Sequence, residues 1–272
     1  TSRGCPFQCP YCINSFLQRL YRGKGKFVRY RDIGLVIDEI KNAVKRYGIK
    51  KVTFSDETFT LNKKRMIEFL KLYKKEVTLP FLCQTHIGTV DHESFRALKN
   101  TGCEYVSLGV ESGNDYIRNE VLKRNMTRES IITAFKICRD MGLKTGSFNM
   151  IGIPYETEDN IWDTIELNRL IQPDILMCTI FMPFKGTELG KLCEDKGWIK
   201  REIDESYYRS MVHDTQIVSP KEVMAYAQLF PLYVNLSKRY YPFMNLLKTV
   251  TAWFSSDRTL YLAERFLLKF LR

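Results

Sequence analysis

The sequence predicts an α/β fold in which helices cover a parallel sheet. From about residue 34, stretches with helical periodicity alternate with short runs rich in β-branched and aromatic residues. The order is helix, strand, helix, strand, as in consecutive βα units. This alternation is compatible with an open, doubly wound sheet and with a sheet curved into a barrel.

The individual elements follow from the same patterns. Strands are expected at 51–55, 81–85, 105–109, 145–151 and 175–181. Helices are expected around 35–48, 62–77, 91–101, 127–142, 157–171 and 187–196. After about residue 215 the strand pattern ends and helical segments follow, interrupted by Pro220, Pro231 and Pro242. We therefore expect an α/β domain over 1–215 and a C-terminal helical extension over 216–272.

Composition limits the possible classes of protein. The formal net charge of +11 favours acidic partners such as phosphates, nucleic acid or an anionic lipid surface. No apolar run reaches the roughly 20 residues that span a bilayer, and no segment resembles a signal peptide. Eight cysteines are too few for a disulfide scaffold, which favours a reducing compartment. We expect a cytoplasmic protein, and the aromatic and cationic segment 240–272 leaves peripheral membrane association open.

Polar residues stand where four of the predicted strands end. Both candidate architectures place active sites at the carboxyl ends of parallel strands. The sequence therefore predicts one shared cavity at these ends. The residues are Asp56 and Glu57, Gln84 to His86, Glu111 and Ser112, and Asn149.

Three cysteines near the N-terminus, Cys5, Cys9 and Cys12, have a C-x3-C-x2-C spacing. A structural zinc site requires four ligands, and no second pair completes one. The other cysteines are scattered singly and are expected to be small core residues. An iron-sulfur cluster with three protein thiolates would leave one iron open for chemistry. The loop that this requires is predicted by Gly4 and the neighbouring prolines.

A thiol redox site is the competing interpretation, because residues 9–12 spell the active-site tetrapeptide of glutaredoxins. Glutaredoxins begin a helix at the first of these cysteines. Here Pro6, Pro10 and a Gly- and Lys-rich stretch through Lys26 predict a loop instead. Cys5 also has no role in the glutaredoxin scheme.

The cysteine spacing, with Tyr11 at the aromatic position, resembles the signature of the radical S-adenosylmethionine (SAM) superfamily. Further text resembles the branch of that superfamily associated with cobalamin-binding domains, and the resemblance covers roughly residues 1–196. The matching segments are 28–31 and 38–40, 53–60, 108–113, 151–157 and 182–187. In two of these motifs Tyr155 and Lys185 replace the commoner Gly and Pro, and His86 stands where many relatives carry Arg.

The resemblance implies a partial, six-stranded (βα) TIM-like barrel whose first strand precedes the cysteine loop. We therefore expect an upstream part of the protein to be missing from this chain. The implied cofactors are a 4Fe-4S cluster and SAM, with an electron from a donor such as ferredoxin or flavodoxin. The expected enzyme is of the oxidoreductase or methyltransferase type and performs cobalamin-dependent methylation or ring formation, with cobalamin held by an upstream domain.

The resemblance also implies roles for single residues. Cys5, Cys9 and Cys12 would hold the cluster. Asp56 and Glu57 would accept hydrogen bonds from the SAM amino group. The remaining expected contacts are Glu111 and Asn149 with the ribose or methionyl end of SAM, and Tyr11 and Met182 with adenine. No catalytic residue is assigned.

The substrate is not identified by the sequence. The stretch 19–31 contains six basic residues and no acid, and it is either a solvated loop or a contact for an anionic substrate or another domain. Together with the cationic, aromatic tail it favours an anionic or lipid-like substrate. The alternative function is an iron-sulfur or glutaredoxin-like electron-transfer protein that does not use SAM.

Overall fold

The computed structural model describes residues 1–200, 211–215 and 217–254, and the expected alternation of helices and strands is present. The strands are β1 (Ser2–Arg3), β2 (Arg29–Tyr30), β3 (Val52–Phe54), β4 (Phe81–Thr85), β5 (Cys103–Glu111), β6 (Lys144–Ile151) and β7 (Ile175–Ile180). The helices are α1 (Ile13–Leu20), α2 (Ile33–Tyr47), α3 (Lys63–Glu76), α4 (His92–Asn100), α5 (Arg128–Asp140), α6 (Glu158–Ile171), α7 (Glu188–Asp195), α8 (Pro220–Asn235) and α9 (Tyr241–Phe254). The strands and helices predicted before residue 200 are confirmed.

The main sheet has five strands among the described residues, in the order β3-β4-β5-β6-β7. The sheet is parallel; in β3 and β4, Val52 lies opposite Phe81 and Phe54 opposite Cys83. Each strand lies beside the next one in sequence, without the reversal of order that defines a doubly wound sheet. The parallel α/β prediction is confirmed, and the strand order favours the barrel-like alternative. In the described part, β3 and β7 form the two edges.

The segment that contains the cysteines folds differently from the prediction in one respect. The expectation of a loop through Lys26 is wrong for residues 13–20, which form α1. Ile13, Phe16, Leu17 and Leu20 are spaced as on one face of a helix, and the glycine-rich text begins only after them. Beyond it, β2 pairs antiparallel with β1, outside the main sheet.

The chain forms two compact units. Unit 1 consists of Thr1–Val110, Lys123–Phe148 and Ile171–Met177, and unit 2 of Glu111–Leu122, Asn149–Leu170 and the described residues from Cys178. All five strands of the sheet run through unit 1, and β5, β6 and β7 end in unit 2.

The core of unit 1 is built around an aromatic cluster that holds α3 against the sheet. The Phe54 ring contacts the rings of Phe69 and Phe81 at centroid distances of 5.4 Å each and that of Tyr73 at 5.8 Å. Phe69, Tyr73 and Phe81 are each at most 1% exposed. Burial of such side chains contributes about 2 kcal/mol each before entropic costs. This cluster fixes β3, after which Asp56 and Glu57 follow.

Unit 2 contains the C-terminal helices. α8 packs against α9, and Trp162 of α6 contacts the ring of Tyr233 at 5.0 Å and that of Tyr241 at 5.1 Å. The Arg169 guanidinium donates to the carbonyls of Tyr233 and Leu236, at 3.0 and 2.6 Å, where α8 ends. The helical character expected after residue 215 is found in 220–254, whereas the domain boundary at 215 stays a prediction. The last part of the segment 240–272 lies outside the described residues.

No helix within the described ranges is both long enough and apolar enough to cross a membrane.

Candidate functional site

Cys5, Cys9 and Cys12 lie on one loop between β1 and α1. None of the three forms a disulfide bond; Cys9 is buried, and Cys5 and Cys12 are half-buried. The Cys12 amide donates to the Cys9 carbonyl at 3.0 Å, which closes a turn, and Cys12 then forms the N-cap of α1. The two cysteines of the tetrapeptide are thus placed by a turn and not by the first turn of a helix.

Burial raises the pKa of the Cys5 thiol and outweighs the lowering effects of the Phe7 backbone and the Thr58 side chain. Charge on Cys9 and Cys12 would raise that pKa further. Three negatively charged thiolates on one loop would repel one another. A polynuclear cationic centre would stabilise all three together through its charge.

The three cysteines fit the cluster that the resemblance implies. Within the described ranges, no three His, Cys, Asp or Glu side chains are arranged to bind one metal ion. A four-iron cluster does not require that arrangement, because each thiolate binds a different iron. Three thiolates on an irregular loop leave the fourth iron for an exogenous ligand.

Gly4 sets the conformation of the loop just before the first cysteine. Its φ is +89°, and a Cβ on it would lie 2.5 Å from the Phe27 carbonyl oxygen. Only glycine combines this backbone conformation with this approach to another backbone segment. The cysteine loop therefore packs directly against the segment that follows α1.

Two side chains from other elements reach the cysteine loop. Arg124 donates to the Cys9 sulfur at 3.7 Å and to the Gly109 carbonyl at 2.8 Å. The His86 ring stacks on Phe7 at a centroid distance of 4.0 Å. Burial and the charge of Arg124 lower the pKa of His86 to about 3, so this ring is neutral at physiological pH.

The acidic pair after β3 is divided between two environments. Asp56 is 2% exposed and accepts hydrogen bonds from the hydroxyls of Thr1 and Ser2. Burial raises the pKa of Asp56, and these hydroxyls lower it. Glu57 instead lines a cavity of about 540 Å³. Of the two, Glu57 is the one open to a ligand.

In unit 2, Glu111 ends β5 with a φ of +65°, a left-handed conformation that costs a non-glycine residue about 1 kcal/mol. A Cβ on Gly113 would lie 2.1 Å from the Asp163 carbonyl oxygen of α6, and the Gly113 amide donates to the Thr164 hydroxyl at 2.9 Å. The fully buried Arg118 donates to the Gly113 carbonyl at 3.2 Å. The loop that carries Glu111 is therefore held rigidly.

Asn149 is buried and is engaged by a neighbouring amide. Its Nδ2 donates to Asn168 at 3.3 Å, and Asn168 donates back to its Oδ1 at 2.7 Å. This reciprocal pair ties the end of β6 to α6. Met182, just beyond β7, is 5% exposed and its carbonyl accepts from the Phe184 amide at 2.9 Å.

The loop after β6 explains one of the two departures from the family pattern. Tyr155 stands where glycine is commoner, and it adopts a φ of +67°, so the left-handed turn is kept without glycine. Glu156 accepts hydrogen bonds from the amides of Gly152 at 2.6 Å and Ile153 at 3.3 Å and so closes its own loop. Burial raises the pKa of Glu156 to about 8, and its Oε1 has no partner in the described part of the chain.

The second departure, at Lys185, leaves a turn that still works as a helix start. Gly186 has a φ of +86°, and Thr187 caps α7 by accepting from the Gly190 amide at 3.0 Å. Gly186 and Thr187 form this turn and N-cap by themselves, and no ligand is needed for it.

Sequence reasoning missed the arginines at the site. The structure places Tyr11 and the three cysteines on one loop, and Asp56 and Glu57 in the same unit; Glu111, Asn149 and Met182 belong to unit 2. Arg124 and Arg118 carry no motif, so nothing in the sequence pointed to them. The acid-free run 19–31 was the signal for Lys24, Lys26 and Arg29, which line the same cavity as Glu57.

Comparison with known proteins identifies the family of this chain. The family model described as the Radical SAM superfamily matches residues 1–167. A methyltransferase of Pyrococcus horikoshii whose function is uncharacterized is 36% identical over 191 residues, which cover 70% of this chain and 40% of that protein. The anaerobic magnesium-protoporphyrin IX monomethyl ester cyclase of Rubrivivax gelatinosus is 26% identical over 198 residues, covering 72% of this chain and 34% of the cyclase. The chain thus spans less than half the length of these relatives.

Solved structures show the same fold. The radical SAM methyltransferase TsrM of Kitasatospora setae, solved with cobalamin and a [4Fe-4S] cluster, superposes with a TM-score of 0.62 at 18% identity. The match covers 75% of this chain and 40% of that protein. The likeness shows a shared α/β architecture.

Proposed function

The chain belongs to the radical SAM superfamily, and from that premise we propose that it cleaves SAM reductively at a 4Fe-4S cluster held by Cys5, Cys9 and Cys12. The observation that carries the proposal is the grouping of three cysteines, none of them in a disulfide, on the one loop between β1 and α1. When bound, the cluster and SAM supply a 5'-deoxyadenosyl radical that removes a hydrogen atom from substrate.

The residues around the loop position and polarise the cysteine sulfurs. Arg124 donates to the Cys9 sulfur at 3.7 Å, and the Phe7 backbone and the Thr58 side chain lower the pKa of Cys5. Hydrogen bonds to cluster sulfurs are one means by which a protein sets reduction potential. We assign Arg124 a positioning role of this kind.

For SAM itself we propose Glu57 as the acceptor for the amino group, because its side chain faces the cavity. Asp56 keeps the first strand in place through Thr1 and Ser2 and supports this contact indirectly. Glu111 remains our candidate for the ribose hydroxyls.

Three further residues are proposed as neighbours of the nucleotide. Tyr11 and Met182 would contact adenine. Since the Asn149 amide is engaged by Asn168, we propose that Asn149 acts by fixing the end of β6, in support of the ribose and methionyl contacts.

The reaction class that we propose is methylation or ring formation with cobalamin held by an upstream domain. A methyltransferase and a cyclase among the relatives support this choice, as does the cobalamin in TsrM. The single electron would come from a donor such as ferredoxin or flavodoxin. A cytoplasmic location, with or without peripheral membrane contact, is part of the same proposal.

Anaerobic reconstitution followed by titration with SAM tests the proposal. We expect about one cluster per chain, a changed EPR signal of the reduced cluster on SAM addition, and release of 5'-deoxyadenosine under reductant. A cluster whose signal ignores SAM would refute it. For the Cys5→Ala variant, Cys193→Ala in α7 is the matched control, since that buried thiol is remote in sequence from the loop.

The glutaredoxin-like alternative is less well supported. In that scheme Cys9 would be an accessible nucleophile at a helix start, yet it is 6% exposed and α1 begins after Cys12. Thiol-disulfide exchange that survives in a Cys5→Ala variant would favour this alternative.

A further inference from the structure

The cavity beside the cysteine loop has a strongly basic wall. Its volume of about 540 Å³ lies within the range of small-molecule sites. Arg3, Lys24, Lys26 and Arg29 line it, and Glu57 is its only acidic lining residue. The cavity thus carries a net of three formal positive charges.

These four cations are exposed and have no counter-ion within the described ranges. None of them forms an ion pair there, whereas Arg31, two residues beyond Arg29, pairs with Glu39 at 2.6 Å. Four like charges around one cavity repel one another and attract an anion. The basic run 19–31 is therefore divided, since Arg31 is paired while Lys24, Lys26 and Arg29 are available to an anion.

The backbone places both lysines beside the cavity. Gly23 and Gly25 flank Lys24 with φ values of +77° and +105°, and a Cβ on either would meet nothing within 4 Å. The glycines are therefore needed for the turn and not for space. The turn presents both Lys24 and Lys26 to the same cavity.

We propose that this cavity binds a phosphate or diphosphate group of a small-molecule substrate. Four cations against one carboxylate match a multiply charged anion better than a single carboxylate, and Arg and Lys are the side chains that bind phosphate best. A cavity of this size fits a small molecule, whereas nucleic acid is bound along an extended basic stripe. The substrate role rests on the proposed function; anion binding itself does not.

Isothermal titration calorimetry of the protein with pyrophosphate tests the proposal. We expect one site per chain, with binding that weakens as KCl is raised. The Lys24→Gln/Lys26→Gln variant should weaken binding by at least about tenfold, because two charge-assisted hydrogen bonds are lost. The control Lys45→Gln/Lys50→Gln removes the same charge from exposed positions of unit 1 and should change binding by less than about twofold.

Parallel titrations with other anions separate the possible ligands. Succinate should bind at least about tenfold more weakly than pyrophosphate, since it offers fewer charges and acceptors. Equal loss of affinity in both double variants would show diffuse surface attraction and overturn the proposal. Binding to phosphatidylglycerol vesicles without binding to pyrophosphate would identify a lipid surface and overturn it as well.

SAM is the remaining competitor for this space, because its amino group is assigned to Glu57 in the same cavity. We expect SAM at the Glu57 end and pyrophosphate at the basic wall, so pyrophosphate should still bind with SAM present. Lys24→Gln/Lys26→Gln should still release 5'-deoxyadenosine at the wild-type rate without substrate. Competition by SAM, or loss of that release, would place SAM on the basic wall and contradict the assignment. Pyrophosphate binding is measured without turnover. Its result can therefore be interpreted even if the proposed function is wrong.

Discussion

The cysteine loop of unit 1 and the strand-end loops of unit 2 are held in different ways. The cysteine loop is half-exposed and is fixed by one turn, by the Gly4 approach to Phe27 and by Arg124. The loops of unit 2 are closed by buried hydrogen bonds around Gly113, Asn149 and Glu156. In the cysteine loop, polar groups remain available to ligands. In the loops of unit 2, most polar groups are hydrogen-bonded within the protein.

This difference separates function from stability. In the cysteine loop, substitutions are expected to remove ligand binding while the fold persists, because little buried area or buried hydrogen bonding is lost. In unit 2, the same kinds of substitution leave buried polar groups without partners or place new atoms in contact with the backbone. The stability of the fold is therefore expected to decrease.

The largest effect is expected for Gly113→Ala. The new Cβ would overlap the backbone of α6, with no flexible side chain to move aside. We expect a loss of about 5 kcal/mol or more in the free energy of unfolding, at the extreme of single substitutions. Urea denaturation followed by circular dichroism measures it. A loss below about 1 kcal/mol would show that this loop is not rigid.

Next comes the pH dependence caused by Glu156. Its pKa is raised from 4.5 to about 8, so the native state binds its proton more tightly than the unfolded state. This contribution to stability is present in full below pH 4.5 and is lost as the pH rises through about 8.

Glu156→Gln stays neutral and should lack this loss. Wild type and variant should be similar in stability near pH 5, and the variant should be more stable at pH 9 by up to about 5 kcal/mol. Melting temperatures across this range measure the difference. Parallel pH profiles for the two proteins would mean that Glu156 is ionised in the native state.

A smaller change in stability, with a larger change in function, is expected for Gly4→Ala. The φ of +89° alone costs about 1 to 2 kcal/mol, and the clash with Phe27 should shift the half-exposed loop rather than unfold the chain. Cluster incorporation, measured as iron per chain, should fall by more than about half. Gly23→Ala has a comparable φ without the clash and serves as the control. Equal iron content in the two variants would contradict this account.

The smallest effect is expected for Arg124→Gln. Removing a cation that donates to Cys9 should destabilise the more negative, reduced cluster, so its midpoint potential should become lower. EPR-monitored potentiometric titration measures it, with Arg96→Gln on the exposed face of α4 as control. An unchanged potential would limit Arg124 to holding Gly109 in place.

Much of the fold could be predicted from local sequence, whereas the hydrogen-bond partners of individual polar groups could not. Periodicity located the βα units to within about two residues, because each element buries one face. The polar strand ends were also correctly located. That Asp56 is taken by Thr1 and Ser2, and Asn149 by Asn168, depends on partners distant in sequence. Arg124 was invisible for the same reason, since its contact with Cys9 spans 115 residues.

Mössbauer spectroscopy of the 57Fe-reconstituted protein, with and without SAM, tests most directly whether three cysteines hold a cluster with one open iron. The account predicts about four iron atoms per chain, three in thiolate sites and one whose isomer shift changes when SAM is added. In Cys5→Ala that signal should be absent, while the metal-free variant melts within about 2 °C of the metal-free wild type. Four irons that all ignore SAM, or full iron content in Cys5→Ala, would contradict it.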